Sequence, residues 1–438
     1  MIEILIFSVY RIFEEQFLRI VRLLTSVWSK YANAKLLVLY FVGFVGPLSG
    51  NTVLALIPTL KTTFHTDVGT VLLSITVLMI PFAIFQLFTG TLSDVYGRRP
   101  VLTFGFLVYG AGLTIIGFSP NFNVWVFLAA RFICGIGYAF IGPVLPAVIG
   151  DLTRIDYRGR VMGIYSSVLT GAIAIGPLLA GFFASEWWYV YFMIAGMAFV
   201  SMFLVWFVLG DINEPKQIDV HVIRQVAWDL REVCSARSVI ALSAVGFLGF
   251  VSFMGMQSFL SDALSMPPFY MQPDTIGIIL SIGGAVGIFI SPAAGYITDK
   301  LGRERVAHLG IAISIVSLVF LFVSKEFFGF VFSMALSGIG RNLFWLPLNA
   351  LSVELIPRQR GATSSIFNSV RFFGYALAPY LLTPVYEDWG TSLISGFQII
   401  IIISILILFI IIPFIRYLGK QELPEMCLLE PGEVLPEG

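Results

Sequence analysis

From residue 36 to residue 417 the chain alternates between long apolar runs and short polar breaks. An α-helix needs about 20 apolar residues to cross a hydrocarbon layer, and the runs have that length. They fall near 36–60, 69–92, 100–119, 123–150, 160–184, 187–209, 239–262, 274–298, 304–324, 327–352, 362–384 and 391–417. The pattern therefore predicts twelve spans. The widest break, 210–238, is charged and contains Pro215, and it separates six spans from six. Within it Val222, Val226, Leu230 and Val233 recur at helical spacing, which predicts a surface helix on a cytoplasmic linker. Residues 1–34 show a similar stripe, Leu5, Val9, Ile12, Phe13, Phe17, Ile20, Leu24 and Val27. Glu3, Arg11, Glu15, Arg19 and Arg22 fall mostly off it, so an amphipathic helix lying in the membrane interface is expected there. The expected layout is this interfacial helix (1–34), a six-helix bundle (35–210), the linker (211–238), a second bundle (239–417) and a cytoplasmic tail (418–438).

Composition agrees with a membrane protein. Of 438 residues 58% are hydrophobic and 12% charged, more apolar surface than a water-soluble fold can bury. Net charge is zero and discriminates nothing; no nucleic-acid partner is expected. Cys134, Cys234 and Cys427 are scattered, as are His65, His221 and His308, so neither a disulfide framework nor a metal or cofactor site is implied. An enzyme would need carboxylates, a Ser/His pair or metal ligands clustered at one depth, and no such cluster is seen. Basic residues set the orientation. The loops after even-numbered spans carry Arg98, Arg99, Arg154, Arg158, Arg160, Lys300, Arg303, Arg305, Arg358 and Arg360, while those after odd-numbered spans carry only Lys61 and Lys325. Both termini are therefore expected in the cytoplasm of a multi-pass cell-membrane protein.

The chain also repeats itself. Gly90-Thr-Leu-Ser-Asp-Val-Tyr-Gly-Arg-Arg-Pro100 follows span 2, and Gly295-Tyr-Ile-Thr-Asp-Lys-Leu-Gly-Arg-Glu-Arg305 follows span 8. Gly90, Asp94, Gly97 and Arg98 match Gly295, Asp299, Gly302 and Arg303. In each copy the first glycine suits close helix approach and the second a sharp turn. Gly135-Ile-Gly137 in span 4 likewise matches Gly338-Ile-Gly340 in span 10, and Asp151 matches Glu354. Parallel six-span halves imply a pseudo-two-fold axis along the membrane normal. The fold expected is thus an all-α integral membrane protein, twelve transmembrane helices in two pseudo-symmetric six-helix bundles around a central cavity.

The paired G-x-x-x-D-x-x-G-R hairpins on a six-plus-six chain resemble the major facilitator superfamily of secondary transporters. Gly176-Pro177-Leu-Leu-Ala-Gly181 in span 5 resembles the Gly-Pro signature of its twelve-span drug:proton antiporter branch, with Ala180 in place of a glycine. Arg131-Phe-Ile-Cys-Gly135 resembles that branch's span-4 signature, with Cys134 where the branch usually has glutamine. The resemblance implies efflux by alternating access, protons as coupling ion, a small-molecule substrate, lipids as surroundings and a monomer. It also implies an antiporter-like kink at Gly176, Pro177 and Gly181.

In the spans themselves no Asp, Glu or His is placed well inside; Asp67, Asp262 and Glu387 are read as outer-end residues. Asn51 stands in span 1 where exporters of cationic drugs commonly carry a carboxylate. The ionisable residues expected inside are Arg131, Arg341 and Arg371, and an arginine at depth is a candidate for anion binding. In this superfamily spans 1, 4, 7 and 10 line the cavity, so Arg131 and Arg341 are expected to face each other. Asn51, Tyr138, Gln257, Asn342, Trp345, Asn349 and Arg371 complete the candidate substrate-binding set. The hairpins are expected to act as gates: Asp94, Arg98, Arg99, Asp299 and Arg303, with Asp151 and Glu354, would hold the cytoplasmic ends together in the outward-open state. An organic-anion or organophosphate exchanger, a lipid flippase and a non-transporting receptor remain alternatives at this point.

Overall fold

The computed structural model describes residues 34–208, 228, 232–389 and 395–419. The interfacial helix expected at 1–34, most of the linker and the tail lie outside the described residues. The rest is helical. The first half holds α1 (Ala34–Phe64), α2 (Val68–Tyr96), α3 (Arg98–Phe118), α4 (Val124–Ala139), α5 (Val144–Leu152), α6 (Ile155–Phe182) and α7 (Trp187–Val208). The second half holds α8 (Arg237–Ser265), α9 (Pro273–Leu301), α10 (Arg303–Val323), α11 (Phe327–Glu354), α12 (Arg360–Asp388) and α13 (Gly396–Gly419). The predicted fourth span is broken into α4 and α5. Gly142 and Pro143 follow each other at the break, and a proline there cannot donate the helical hydrogen bond. Together the two pieces count as one crossing, which gives twelve.

Eleven crossings are apolar enough to span a membrane on composition and length alone. The twelfth is α12, which is 29 residues long but carries Arg360, Asn368, Arg371, Glu387 and Asp388. Arg371 bonds Asn349 of α11, while Arg360, Glu387 and Asp388 are exposed toward the ends of the helix.

The sequence repeat is carried into the packing. A Cβ on Gly135 would meet the Leu78 carbonyl of α2 at 2.1 Å, and one on Gly338 would meet the Gly283 carbonyl of α9 at 2.4 Å. Gly137 touches the backbone of Tyr109 on α3, and Gly340 touches Ser314 on α10. In both halves, then, two glycines let one span lie against two neighbours at backbone distance. Between halves the main seams are α6 against α9 and α2 against α12. These two seams exchange under the pseudo-two-fold axis, as α2 corresponds to α9 and α6 to α12.

Both hairpins turn at a glycine in a conformation closed to other residues. Gly97 has φ 90° and ψ 150°, and Gly302 has φ 84° and ψ 155°. The two values agree so closely that the turns are copies of one structure.

Candidate functional site

The halves meet at the end opposite the hairpins. There Lys61 Nζ of α1 donates to Asp262 Oδ1 of α8 at 2.6 Å. On the α2–α12 seam the Thr76 hydroxyl donates to the Ala376 carbonyl at 2.6 Å. Farther in, the rings of Phe82 and Phe372 meet edge-on with centroids 4.8 Å apart. On the other seam a Cβ at Gly277 would sit 2.6 Å from the Pro177 carbonyl and 3.1 Å from Gly181 Cα. Gly176 faces the other way, onto the Leu48 carbonyl of α1. The Gly176-Pro177…Gly181 signature thus clamps α6 between its own half and the partner half.

At the hairpin end the halves stand apart. Nothing lies within 4 Å of a Cβ built on Gly90, Gly159, Gly163 or Gly361. The close approach expected at Gly90 is therefore absent in this conformation, and at Gly295 the nearest atom is a Leu346 methyl of the same half, at 3.6 Å. The ion pairs of Arg98 and of Arg303 at this end each stay within one half. Arg98 reaches Asp94 at 2.7 Å and Asp151 at 3.2 Å, and also bonds the Ser93 hydroxyl. Arg303 bonds Glu354, while Asp299 is exposed. Arg99 lies over the Trp206 ring at 3.9 Å.

Between the closed and open ends lies a cluster of rings with two guanidinium groups. Phe250 of α8 stacks on Tyr375 of α12 with centroids 5.6 Å apart and meets Trp345 of α11 at 4.5 Å and Phe372 at 5.5 Å. From the first half, Tyr138 stacks on Phe82 at 4.7 Å, and Phe82 in turn touches Phe372. The Arg371 guanidinium sits 5.0 to 5.7 Å from four rings, Phe250, Trp345, Phe367 and Phe372. It donates to Asn349 Oδ1 at 2.8 Å.

Arg341 differs from Arg371. It lies roughly 20 Å from either end of α11 at ~1.5 Å per residue, hence near mid-depth. Trp345 and Asn349 continue its face by one and two turns. Arg341 is half-exposed, and among the described residues no hydrogen bond or carboxylate meets its guanidinium.

The expectation that Arg131 and Arg341 face each other is corrected. Arg131 is 1% exposed and is turned away from any open space. Its Nε donates to the Ser74 carbonyl of α2 at 3.3 Å and its Nη1 to the Ser49 carbonyl of α1 at 3.5 Å. It ties three helices of the first half together. The repeat explains the difference. Counting from the shared Gly-Ile-Gly, Arg131 aligns with Met334, which is also buried, and Arg341 aligns with Tyr138, which is also half-exposed. That alignment was available in the sequence and separates a packing position from a lining position.

Other members of the expected set are engaged locally. Asn51 Nδ2 donates to the Pro47 carbonyl one turn back at 3.1 Å. Asn342 bonds the Gly338 carbonyl and accepts from the Ser291 hydroxyl of α9 at 2.8 Å, joining two helices of one half. Gln257 is buried two turns from Phe250 toward the closed end. The structure thus gathers Tyr138, Arg341, Trp345, Asn349 and Arg371 with Phe250 and Tyr375. Asp262 sits at the outer end of α8, as expected, three residues from the helix's last residue, and is 1% exposed there. Among the described residues no cluster could hold a metal ion.

Known proteins resemble the chain at both levels. Among curated relatives, the bacillibactin exporter of Bacillus subtilis is 24% identical over 81% of this chain and 91% of its own length. Multidrug resistance protein 2 of the same species is 26% identical over 58% and 64%. The bicyclomycin resistance protein homolog of Haemophilus influenzae is 22% identical over 73% and 81%. Among solved structures, the nucleoside transporter NupG superposes with a TM-score of 0.73 at 15% identity, covering 88% of this chain and 100% of that one. A bacterial homolog of the lysosomal transporter Spinster gives 0.71 at 15%, covering 89% and 97%. The family signature itself matches residues 39–272 and 245–425, so that the chain, with its doubled hairpin and two-half architecture, belongs to the Major Facilitator Superfamily of transporters.

Proposed function

We propose that this transporter exports a small amphipathic or anionic organic compound from the cytoplasm by alternating access, in exchange for protons. Arg341 carries the reading. A guanidinium held at mid-depth without a counter-charge is costly, and an anionic ligand is the natural partner it lacks. Trp345, Phe250 and Tyr375 give the apolar wall that an amphipathic molecule needs, and Asn349, Arg371 and Tyr138 offer further polar contacts. Export is supported by the names of the relatives, two of which are a bacillibactin exporter and a multidrug resistance protein.

In this reading the hairpins and both termini are cytoplasmic, following the excess of arginine on that side. The conformation described here then opens inward. When the far end opens instead, the hairpin ends come together. Gly90 and Gly295 supply the room, and Asp94, Arg98, Asp151, Asp299, Arg303 and Glu354 form pairs across the halves. Arg131, Asn51 and Asn342 act as ties within a half.

The test is ligand-induced stabilisation of purified protein against anionic, zwitterionic and cationic compounds. Anions raise the unfolding temperature of the wild type, and Arg341→Ala loses that response. Equal responses in both proteins would sink the assignment. A second reading, organic-anion exchange, draws on the absence of any carboxylate bonded to Arg341 among the described residues. Flux of a hit compound in everted vesicles decides between them: a pH gradient drives the antiporter, whereas an exchanger requires a counter-anion.

A further inference from the structure

Asp262 is the one Asp or Glu that is fully buried among the described residues, and no step of the reading above uses it. Both its oxygens are occupied. Oδ1 accepts from Lys61 Nζ at 2.6 Å, and Oδ2 accepts from the Tyr386 hydroxyl at 2.8 Å. The two donors come from different halves: Lys61 belongs to α1, Tyr386 to α12. The Tyr386 ring is itself held against Phe259 of α8, with centroids 4.7 Å apart, so Tyr386 stays with Asp262 whatever the other half does.

Separation of the halves at this end must therefore remove one donor and leave the other. Lys61 departs with α1. A buried carboxylate stays ionised only while it is paired or hydrated, so its options are water from the newly opened side or a proton. A proton on Oδ1 occupies the position Lys61 needs and cancels the charge that attracts it. Proton and Lys61 thus compete for one oxygen. The other acids near this end are Glu387 and Asp388 of α12, which stay with Asp262, and Asp67, which caps α2 and moves with Lys61; a Cβ built on Gly69 would lie 3.1 Å from Asp67 Oδ1 and 3.7 Å from Glu387 Oε1. Lys325 shares with Asp262 the lining of a cleft on the other side of α8.

We infer that Asp262 is a proton-binding site of the transport cycle: a proton taken from the far side holds that end open, and its release lets Lys61 return and shut it. The balance is simple. The shut state contains Lys61 as ammonium and Asp262 as carboxylate; the open state contains the same ammonium, released, and a neutral carboxyl formed with one proton from the outer water. Tyr386 keeps its own proton throughout. Taken up from the outer water and given back to it, the proton makes the opening of that end answer to outer pH and does not itself cross the membrane. This role of Asp262 rests on the alternating-access reading above.

The experiment places spin labels at Ser185 and Gln272, both exposed and on opposite sides of the Gly181–Pro273 contact. Cys134, Cys234 and Cys427 are first replaced. The inter-label distance is recorded in lipid nanodiscs from alkaline to acid pH. Acid shifts the wild type toward the long distance, by about tenfold in the ratio of open to shut populations. Asp262→Asn is long at every pH, while Glu387→Gln keeps the response. The exchange Lys61→Asp with Asp262→Lys restores the short distance at neutral pH, which also shows that the variants fold. An unresponsive wild type, or an Asp262→Asn that still responds to pH, overturns the inference. Anion stabilisation through Arg341 is scored on the same preparations. Its survival in that case leaves the transport reading standing, and its loss together with an intact pH response does the opposite.

Discussion

The two ends of this molecule use the same kinds of residue in opposite ways. At the hairpin end Arg98 pairs with Asp94 and Asp151, and Arg303 with Glu354, always inside one half. At the far end Lys61 pairs with Asp262 across the halves. A pair within a rigid bundle can survive any rocking motion, so it stabilises the bundle and is indifferent to the state. A pair between bundles exists in one state only, so its free energy biases the equilibrium between states. The glycines divide the same way. Gly277 and Gly181 are pressed against backbone, whereas Gly90 faces open space.

That contrast can be broken most strongly with size. Gly277→Leu places atoms where the Pro177 carbonyl lies 2.6 Å from the built Cβ, so the far end cannot shut. The open-to-shut ratio at that end rises by more than about tenfold, read from the Ser185–Gln272 label distance. Gly90→Leu has room here and leaves that distance unchanged, but transport in vesicles falls because the hairpin end can no longer close. Equal effects of the two substitutions on the distance would erase the distinction between ends.

Smaller effects are expected within each turn. Gly97→Ala and Gly302→Ala force a side chain into a backbone region reserved for glycine, at ~1–3 kcal/mol each. Because the two turns are near copies, the losses in thermal stability should agree; a clear inequality would show that the halves are not equally rigid. Smallest is the cap of α2. Asp67 accepts from the Thr70 backbone N–H and hydroxyl, both at 2.7 Å, and the Thr70 hydroxyl first of all holds its carboxyl below the usual aspartate range. Asp67→Ala costs about 1 kcal/mol of stability. The folded value is lowered, so the stabilisation is present above the unfolded aspartate pKa and fades as pH falls through the folded one. Asp67→Asn keeps an accepting oxygen and loses that pH dependence, which a melting series against pH would record.

The residues themselves show where sequence reading succeeds. Spans emerged because a helix in hydrocarbon must be apolar along a set length, and hairpin turns because glycine alone accepts φ near 90°. Position along a span does not by itself fix a residue's environment. Asp262 lies three residues from the end of α8, where the sequence puts it, but Lys61 and Tyr386 close over it and bury it there. Arg131 and Arg341 are the same residue type in matching spans, yet carbonyls of α1 and α2 meet the first and none meets the second. In the case of the arginines the internal repeat held the answer, through the alignment of Arg131 with Met334 and Arg341 with Tyr138.

By itself the sequence determined the membrane class, the six-plus-six order of helices and the doubled hairpin, because each follows from local composition or from spacing along one chain, and the hairpin motif carries the resemblance to the superfamily. Only the tertiary structure decided which charges meet. Lys61 and Asp262 are 201 residues apart, and nothing near either in the chain foretells the other. Their pairing, like the isolation of Arg341, depends on how two bundles lean together, and that is a property of the packed surfaces rather than of any segment.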